Sequence, residues 1–265
     1  MATQSAKSKQ PVKPKKPRPA PPHVDLIRIV PLHQGAAAAP APAAPKLTYR
    51  NGPLLGAVEV FTVFWGNGWK SAPQNAMIPK INAFFDFILT STLVDQLSEY
   101  STSQTKIGHG RRTGTVTIAG KLASSVTDTS IQTFVNQQIS AGKLPKTTAN
   151  TLYFVYMPPG IRVVMGGSAS CTAFCGYHNA IGTKTFYAVM PYPSCAGCVG
   201  SIAAFDALTS TSSHELCEAI TDPIPGQGWY DDVNGEVGDI CAWQTKKIGD
   251  YTVQLEWSNK AGACV

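Results

Sequence analysis

Residues 212 to 241 read SSHELCEAITDPIPGQGWYDDVNGEVGDIC and hold seven of the chain's 16 acidic residues: Glu215, Glu218, Asp222, Asp231, Asp232, Glu236 and Asp239. No other stretch constrains the fold as tightly. In a helix, positions four apart are neighbours, so His214 and Glu218 share one face while Glu215 points to an adjacent one. The spacing is that of HExxH, the metal-binding helix of zinc hydrolases, with the second histidine replaced by glutamate. Zn²⁺ accepts carboxylate oxygen as well as imidazole nitrogen, so the exchange preserves the chemistry while weakening the signature.

A catalytic zinc takes three protein ligands and leaves one position open. His214 and Glu218 supply two, and Glu215 is then the general base for a metal-bound water. Asp239, in GEVGDIC, is the expected third ligand, with Glu236 close behind it. His178, in FCGYHN, is the alternative, since two histidines and one carboxylate are a more familiar set. The competing structural reading is a hydrogen-bonded His–Glu pair on a helix that Asp222 ends before Pro223. Calcium is a lesser expectation: DDVNGEVGD is rich in oxygen donors but lacks the EF-hand pattern, and acidic turns commonly use Asp, Asn and Gly.

Charge is divided unevenly. Residues 1–50 carry nine of the 22 Lys and Arg and one acid, Asp25, leaving 13 basic and 15 acidic side chains in the remainder. The net +6 belongs to the tail, so the folded part gives no argument for nucleic-acid binding. KSKQPVKPKKPRPAPPH and GAAAAPAPAAPK lack the apolar mass to offset chain entropy, and residues 1–46 are expected to be disordered or extended. Between them VDLIRIVPL is an apolar island suited to docking as an edge strand. Neither a secretory signal nor a membrane span is visible.

From residue 47 onward the chain reads as one domain. Strands are expected at 58–65, 114–120, 151–158, 184–191 and 251–258, and helices at 77–99, 129–142 (capped by Thr129, stopped by Gly142) and 200–221. That order describes an α/β fold, a single mixed-sheet domain of zincin-like outline, with a long HExxE helix and a disulfide-stapled, loop-rich C-terminal part. Six cysteines fall into sequence-adjacent pairs, Cys171 with Cys175, Cys195 with Cys198 and Cys241 with Cys264, and suggest an oxidising compartment. A four-thiolate zinc ribbon and a redox Cys195-Ala-Gly-Cys198 motif are the alternatives. Cys217 is expected to be buried as a small hydrophobe. No GxSxG elbow, phosphate-binding loop or N-glycosylation sequon occurs.

The segments NGPLL (51–55), VEVFTVFWGNGW (58–69), FCGYH (174–178), SSHELCEAITDP (212–223), GEVGDIC (235–241) and VQLEWSNKAGAC (253–264) resemble the phosphate-induced protein 1 family, whose best-known members are the EXORDIUM-like proteins of plant cell walls. The resemblance spans about residues 47–265 and keeps the family's motif order. It implies an extracellular or cell-wall location. It also carries over His178, His214, Glu215, Glu218, Glu236 and Asp239, and favours disulfides around FCGYH and CAGC. The first 46 residues do not match the family's signal peptide, and Cys217 stands where a small apolar residue is expected. Two functions follow as expectations. One is a secreted zinc-dependent hydrolase acting on a peptide or wall component. The other is a non-enzymatic wall- or carbohydrate-binding protein with a structural or calcium-binding cluster, in which Trp65, Trp69, Trp229, Tyr230 and Trp243 form a sugar-stacking platform.

Overall fold

A strand whose side chains are apolar on both sides must lie inside a sheet covered on both faces, and TLYFVY at Thr151–Tyr156 is buried at all six positions. The computed structural model describes residues 29–32 and 44–265. Its main sheet has six strands: β1 (Ile29–Pro31), β2 (Glu59–Trp65), β3 (Arg111–Ile118), β4 (Thr151–Tyr156), β5 (Phe174–Ile181) and β6 (Thr185–Met190). Their spatial order is β1-β5-β6-β4-β2-β3. The β6, β4, β2 and β3 neighbours pair in parallel, while β5 runs antiparallel to both β6 and β1.

Period-two alternation splits the core into two layers. On one face Val63, Tyr153, Val155 and Val189 pack against Ile131, Phe134 and Val135 of helix α2 (Asp128–Ser140). On the other, Phe64, Phe154, Tyr156 and Met190 meet helix α1 (Met77–Ile88) and helix α3 (Ala204–Thr221). Every residue of α3 from Ala207 to Thr221 is buried. The helix lies between the sheet and a hairpin formed by β7 (Thr245–Ile248) and β8 (Tyr251–Gln254). This position explains its run of small hydroxyl residues, which let both neighbours approach while their oxygens find local partners. Ser213 donates to the Ser210 carbonyl at 2.7 Å, Thr209 to the Thr252 carbonyl at 2.7 Å, and Ser212 meets the Tyr156 hydroxyl at 2.7 Å.

Several boundaries differ from the periodicity. The 77–99 helix breaks after Ile88, where the Ser91 side chain accepts from the Leu93 N–H and caps a short second helix, Thr92–Gln96. Helix α2 is capped by Thr127 rather than Thr129, and Gly142, at φ 69°, follows its end. The 200–221 helix begins at Ala204, after a separate turn of helix at Ala196–Val199. The stretch FCGYHNAI was not expected to be a strand and is β5, which carries His178 into the core.

The cysteine pairing is also corrected. Cys171 bonds Cys195 and Cys175 bonds Cys198, while Cys241–Cys264 is as expected. Cys175 lies in extended β5 and Cys171 in the turn before it at φ 59°, and both are joined across to the segment at Cys195–Cys198 instead of to each other. With both pairs oxidised across segments, neither a four-thiolate ribbon nor a CxxC disulfide is present. Cys217 is free and buried. The apolar island does dock: β1 pairs with β5 at the sheet edge, and Val30 packs against Cys175 and Cys198. The basic run and the Ala/Pro spacer up to residue 43 lie outside the described residues. Three disulfides fit an extracellular protein. Among the described residues, no single helix is long and apolar enough to cross a membrane. One bent pair, Gln74–Ile88 with Thr92–Tyr100 at 47°, has the composition, but most of its apolar side chains lie in the core, Phe87 being exposed.

Candidate metal centre

Three elements converge behind the sheet. Strand β5 delivers His178, helix α3 delivers His214, Glu215 and Glu218, and the C-terminal loop delivers Glu236 and Asp239. His178, His214, Glu215, Glu218 and Glu236 are all 0% exposed, and the Asp239 side chain is 5% exposed. Glycines make the approach possible. A Cβ at Gly238 would stand 2.7 Å from His214 Nδ1, and one at Gly235 would clash with the Asp239 carboxylate.

The expected residues do come together, but in two groups that share Glu218. One contains His178, Glu215 and Glu218, and the other His214, Glu218 and Asp239; in each, one ligand atom per residue lies within 4.8 Å of the others. His178 Nδ1 is 3.1 Å from Glu215 Oε2 and 3.5 Å from Glu218 Oε2, and its Nε2 donates to the Asp222 carbonyl at 3.0 Å. The ligand atoms of His178 and His214 thus fall in different groups, joined only through Glu218. His214 Nε2 lies 2.9 Å from Glu218 Oε1 without the alignment of a hydrogen bond, and 3.9 Å from Asp239 Oδ1. Glu218 Oε1 accepts from the Asp239 N–H at 3.1 Å. Glu236 sits behind His178, with Oε1 3.5 Å from Nε2, outside both groups.

The electrostatics are those of buried acids in excess over bases. Burial alone would lower His178, but hydrogen bonds to Glu215 and Glu218 and their charges lift it to about 10, so the ring donates from both nitrogens. Burial would raise Glu218, yet the two imidazoles that face it, His214 and His178, hold it at about 2. Burial pushes Glu215 up, and drives Glu236 and Asp239 well above the carboxylate range, reinforced by the charge of Glu218. At His214, burial opposes and Glu218 favours a second proton, but that proton would face the Gln254 amide. Gln254 Nε2 lies 2.7 Å from His214 Nδ1 and also donates to the Gly238 carbonyl at 2.8 Å. The fixed amide keeps Nδ1 an acceptor.

Side-chain oxygens Glu215 Oε1, Glu218 Oε2 and Asp239 Oδ1, and both oxygens of Glu236, have no hydrogen-bond partner among the described residues. Buried carboxylates left this way are costly unless protonated or neutralised by a cation, and the donor set of imidazoles and carboxylates fits a borderline divalent ion such as zinc.

Two residues near this cluster escaped the sequence reading. Gln254 ends β8 and Glu256 follows two positions on, and that period-two polar pattern in VQLEW was the available signal; Glu256 is 0% exposed. Asp222 ends α3 as expected, and its carboxylate also accepts from the N–H groups of Gly226, Gln227 and Gly228. Of the DDVNGEVGD oxygens, those of Asp231 accept from Lys46, Val233 and Asn234, and Asp232 pairs with Arg50; neither joins the cluster. The aromatic residues do not make one platform. Trp69 is buried, Trp229 packs on Tyr49 and Tyr100, and half-buried Trp65 stacks on Phe134 on the opposite side of the sheet.

No protein-family model and no curated protein matches the chain. A solved structure described as "Structure of a chaperone-substrate complex" aligns over 69% of this chain at 14% identity with a TM-score of 0.35. The chain spans about a quarter of that one's length (26%), and a likeness this slight carries no argument.

Proposed function

We propose that the protein is an exported metalloprotein in which a divalent cation, held around Glu218, acts as a buried cross-link between helix α3 and the segments packed on it. One observation carries the reading: the unpartnered, buried oxygens of Glu215, Glu218 and Asp239 sit with imidazole nitrogens at ligand spacing. Imidazole in both groups favours zinc over calcium, which prefers all-oxygen shells. Depth favours a structural over a catalytic role, since a catalytic ion keeps a position open to substrate. Export is supported by the three disulfides, and a cell-wall setting by the motifs that resemble the phosphate-induced protein 1 family.

The test is metal content together with stability. Protein purified in zinc should carry about one ion per chain. At a free concentration 100 times Kd the ion would add about 2.7 kcal/mol of stability, and chelation would lower Tm by roughly 5–11 °C. Absence of bound metal with an unchanged Tm would refute the reading.

A second reading, a zincin-like hydrolase of a peptide or wall component, has one observation in its favour: Glu215 follows His214 on the helix and its Oε1 is unpartnered. When bound, the cation would supply Lewis-acid polarisation, and Glu215 would accept a proton from the attacking water and pass it to the leaving amine. A Glu215→Gln protein that hydrolysed such substrates at the wild-type rate would exclude it.

A further inference from the structure

Two histidines face Glu218, and the hydrogen bonds on their far sides distinguish them. The Gln254 amide has one consistent orientation: Oε1 accepts from the Trp243 N–H at 3.2 Å, and Nε2 donates to the Gly238 carbonyl. Its remaining amide hydrogen points at His214 Nδ1. That nitrogen is an acceptor, so the ring proton sits on Nε2, the atom turned toward Glu218. Ligation through that Nε2 would strip the ring of its last proton, so it is not the nitrogen that takes a metal. His178 is arranged the other way. Its Nε2 faces the Asp222 carbonyl, which can only accept, so Nε2 holds its proton and Nδ1 is the nitrogen available to the carboxylates.

We propose that the cation binds between His178 Nδ1, Glu215 and Glu218, and that His214 and Asp239 position Glu218 without touching the ion. This rests on the metalloprotein reading above. The cation takes the place of the Nδ1 proton, which is released to solvent. Glu218 is prepared for the role: Oε1 accepts from the Asp239 N–H and lies 2.9 Å from His214 Nε2, and the buried Oε2 is left without a hydrogen-bond partner. Glu215 Oε1 is likewise buried and unpartnered. Space is kept over the pair by Gly176 on β5, where a Cβ would lie 3.3 Å from Glu215 Oε1 and 2.6 Å from Thr211 Cγ2. One imidazole and two carboxylates suit a zinc-class ion. The assignment inverts the roles suggested by the HExxE spacing: Glu215 becomes a ligand and His214 an orienting group.

The experiment loads metal-free, full-length protein with zinc alone and measures bound metal in wild type, His178→Ala and His214→Gln, each checked for folding by circular dichroism. Wild type should bind about one zinc and His178→Ala none, while His214→Gln should keep the stoichiometry with affinity reduced about 10–100-fold. Zinc retained in His178→Ala and lost in His214→Gln would overturn the assignment. Long-range ¹H–¹⁵N correlation on zinc-loaded wild type decides without a variant. A shift at His178 Nδ1 with His214 Nε2 still protonated supports the assignment, and a metal-bound His214 Nε2 overturns it. No zinc in wild type would overturn the metalloprotein reading itself, which is a different failure.

Discussion

Removing the Cys241–Cys264 disulfide tests how the loop bearing Glu236 and Asp239 is held. The two cysteines are 23 positions apart. Closing a loop of that length lowers the entropy of the unfolded chain by about 11.5 cal/mol/K, or about 3.4 kcal/mol at 25 °C. Cys241 is fully buried and Cys264 is not, so Cys241→Ala with Cys264→Ser avoids leaving a buried hydroxyl as a second effect. For a chain of this size each kcal/mol corresponds to roughly 2–4 °C, so Tm should fall by about 7–14 °C. Urea unfolding is the better assay, because the missing cross-link also enlarges the unfolded state and should raise the m-value. A loss below about 1 kcal/mol with an unchanged m-value would refute the reasoning. It would mean that the segment stays closed in the unfolded chain by something other than the disulfide.

Gly176→Ala should cost about 1–3 kcal/mol in thermal denaturation, since the new methyl would press on Thr211 Cγ2 at 2.6 Å in a packed layer; wild-type stability would show that β5 and α3 can separate there. Tyr177 and Tyr187 both donate to Asp128 Oδ1 at 2.7 Å. The double Phe variant should lose about 2–4 kcal/mol in urea, more than either single change, and a loss under about 0.5 kcal/mol would mean solvent replaces both hydroxyls. Asp206 is held below the usual carboxylate range, first by the Thr252 hydroxyl at 2.5 Å and then by Lys247 at 3.1 Å. Its folded-state depression stabilises the protein above the unfolded value and is lost as pH falls through the folded one. Asp206→Asn should flatten that acid limb by about 0.5 kcal/mol or less, given the partial exposure, with its loss of stability present at neutral pH and gone at low pH; a loss confined to low pH would contradict the sign. Trp65 and Phe134 line an open groove of about 300 Å³ with Thr129, Ser130, Thr133 and Gln137. If wall glycans bind there, Trp65→Ala should weaken retention on insoluble polysaccharide at least about tenfold; equal retention would remove that surface from consideration.

The sequence by itself picked out the clustered acids and the histidines that join them. His214, Glu215 and Glu218 belong to one helix because the i,i+4 spacing is local, and the apolar strands at 58–65 and 151–158 are legible because burial on both faces leaves continuous apolar runs. Local chemistry also fixed the end of α3 at Asp222, ahead of Pro223. Partnership was another matter. Cys171 and Cys175 are close in sequence, yet an extended β5 turns them both toward Cys195 and Cys198. His178 pairs with Glu215 only because antiparallel β5 lies under α3, and no spacing rule reaches across 37 positions. The same holds for Gln254, whose amide is oriented by the Gly238 carbonyl and the Trp243 N–H and thereby decides where the His214 proton sits. Side-chain identity and local period are written in the chain, but the acceptor that each buried donor meets is set by how separate segments pack.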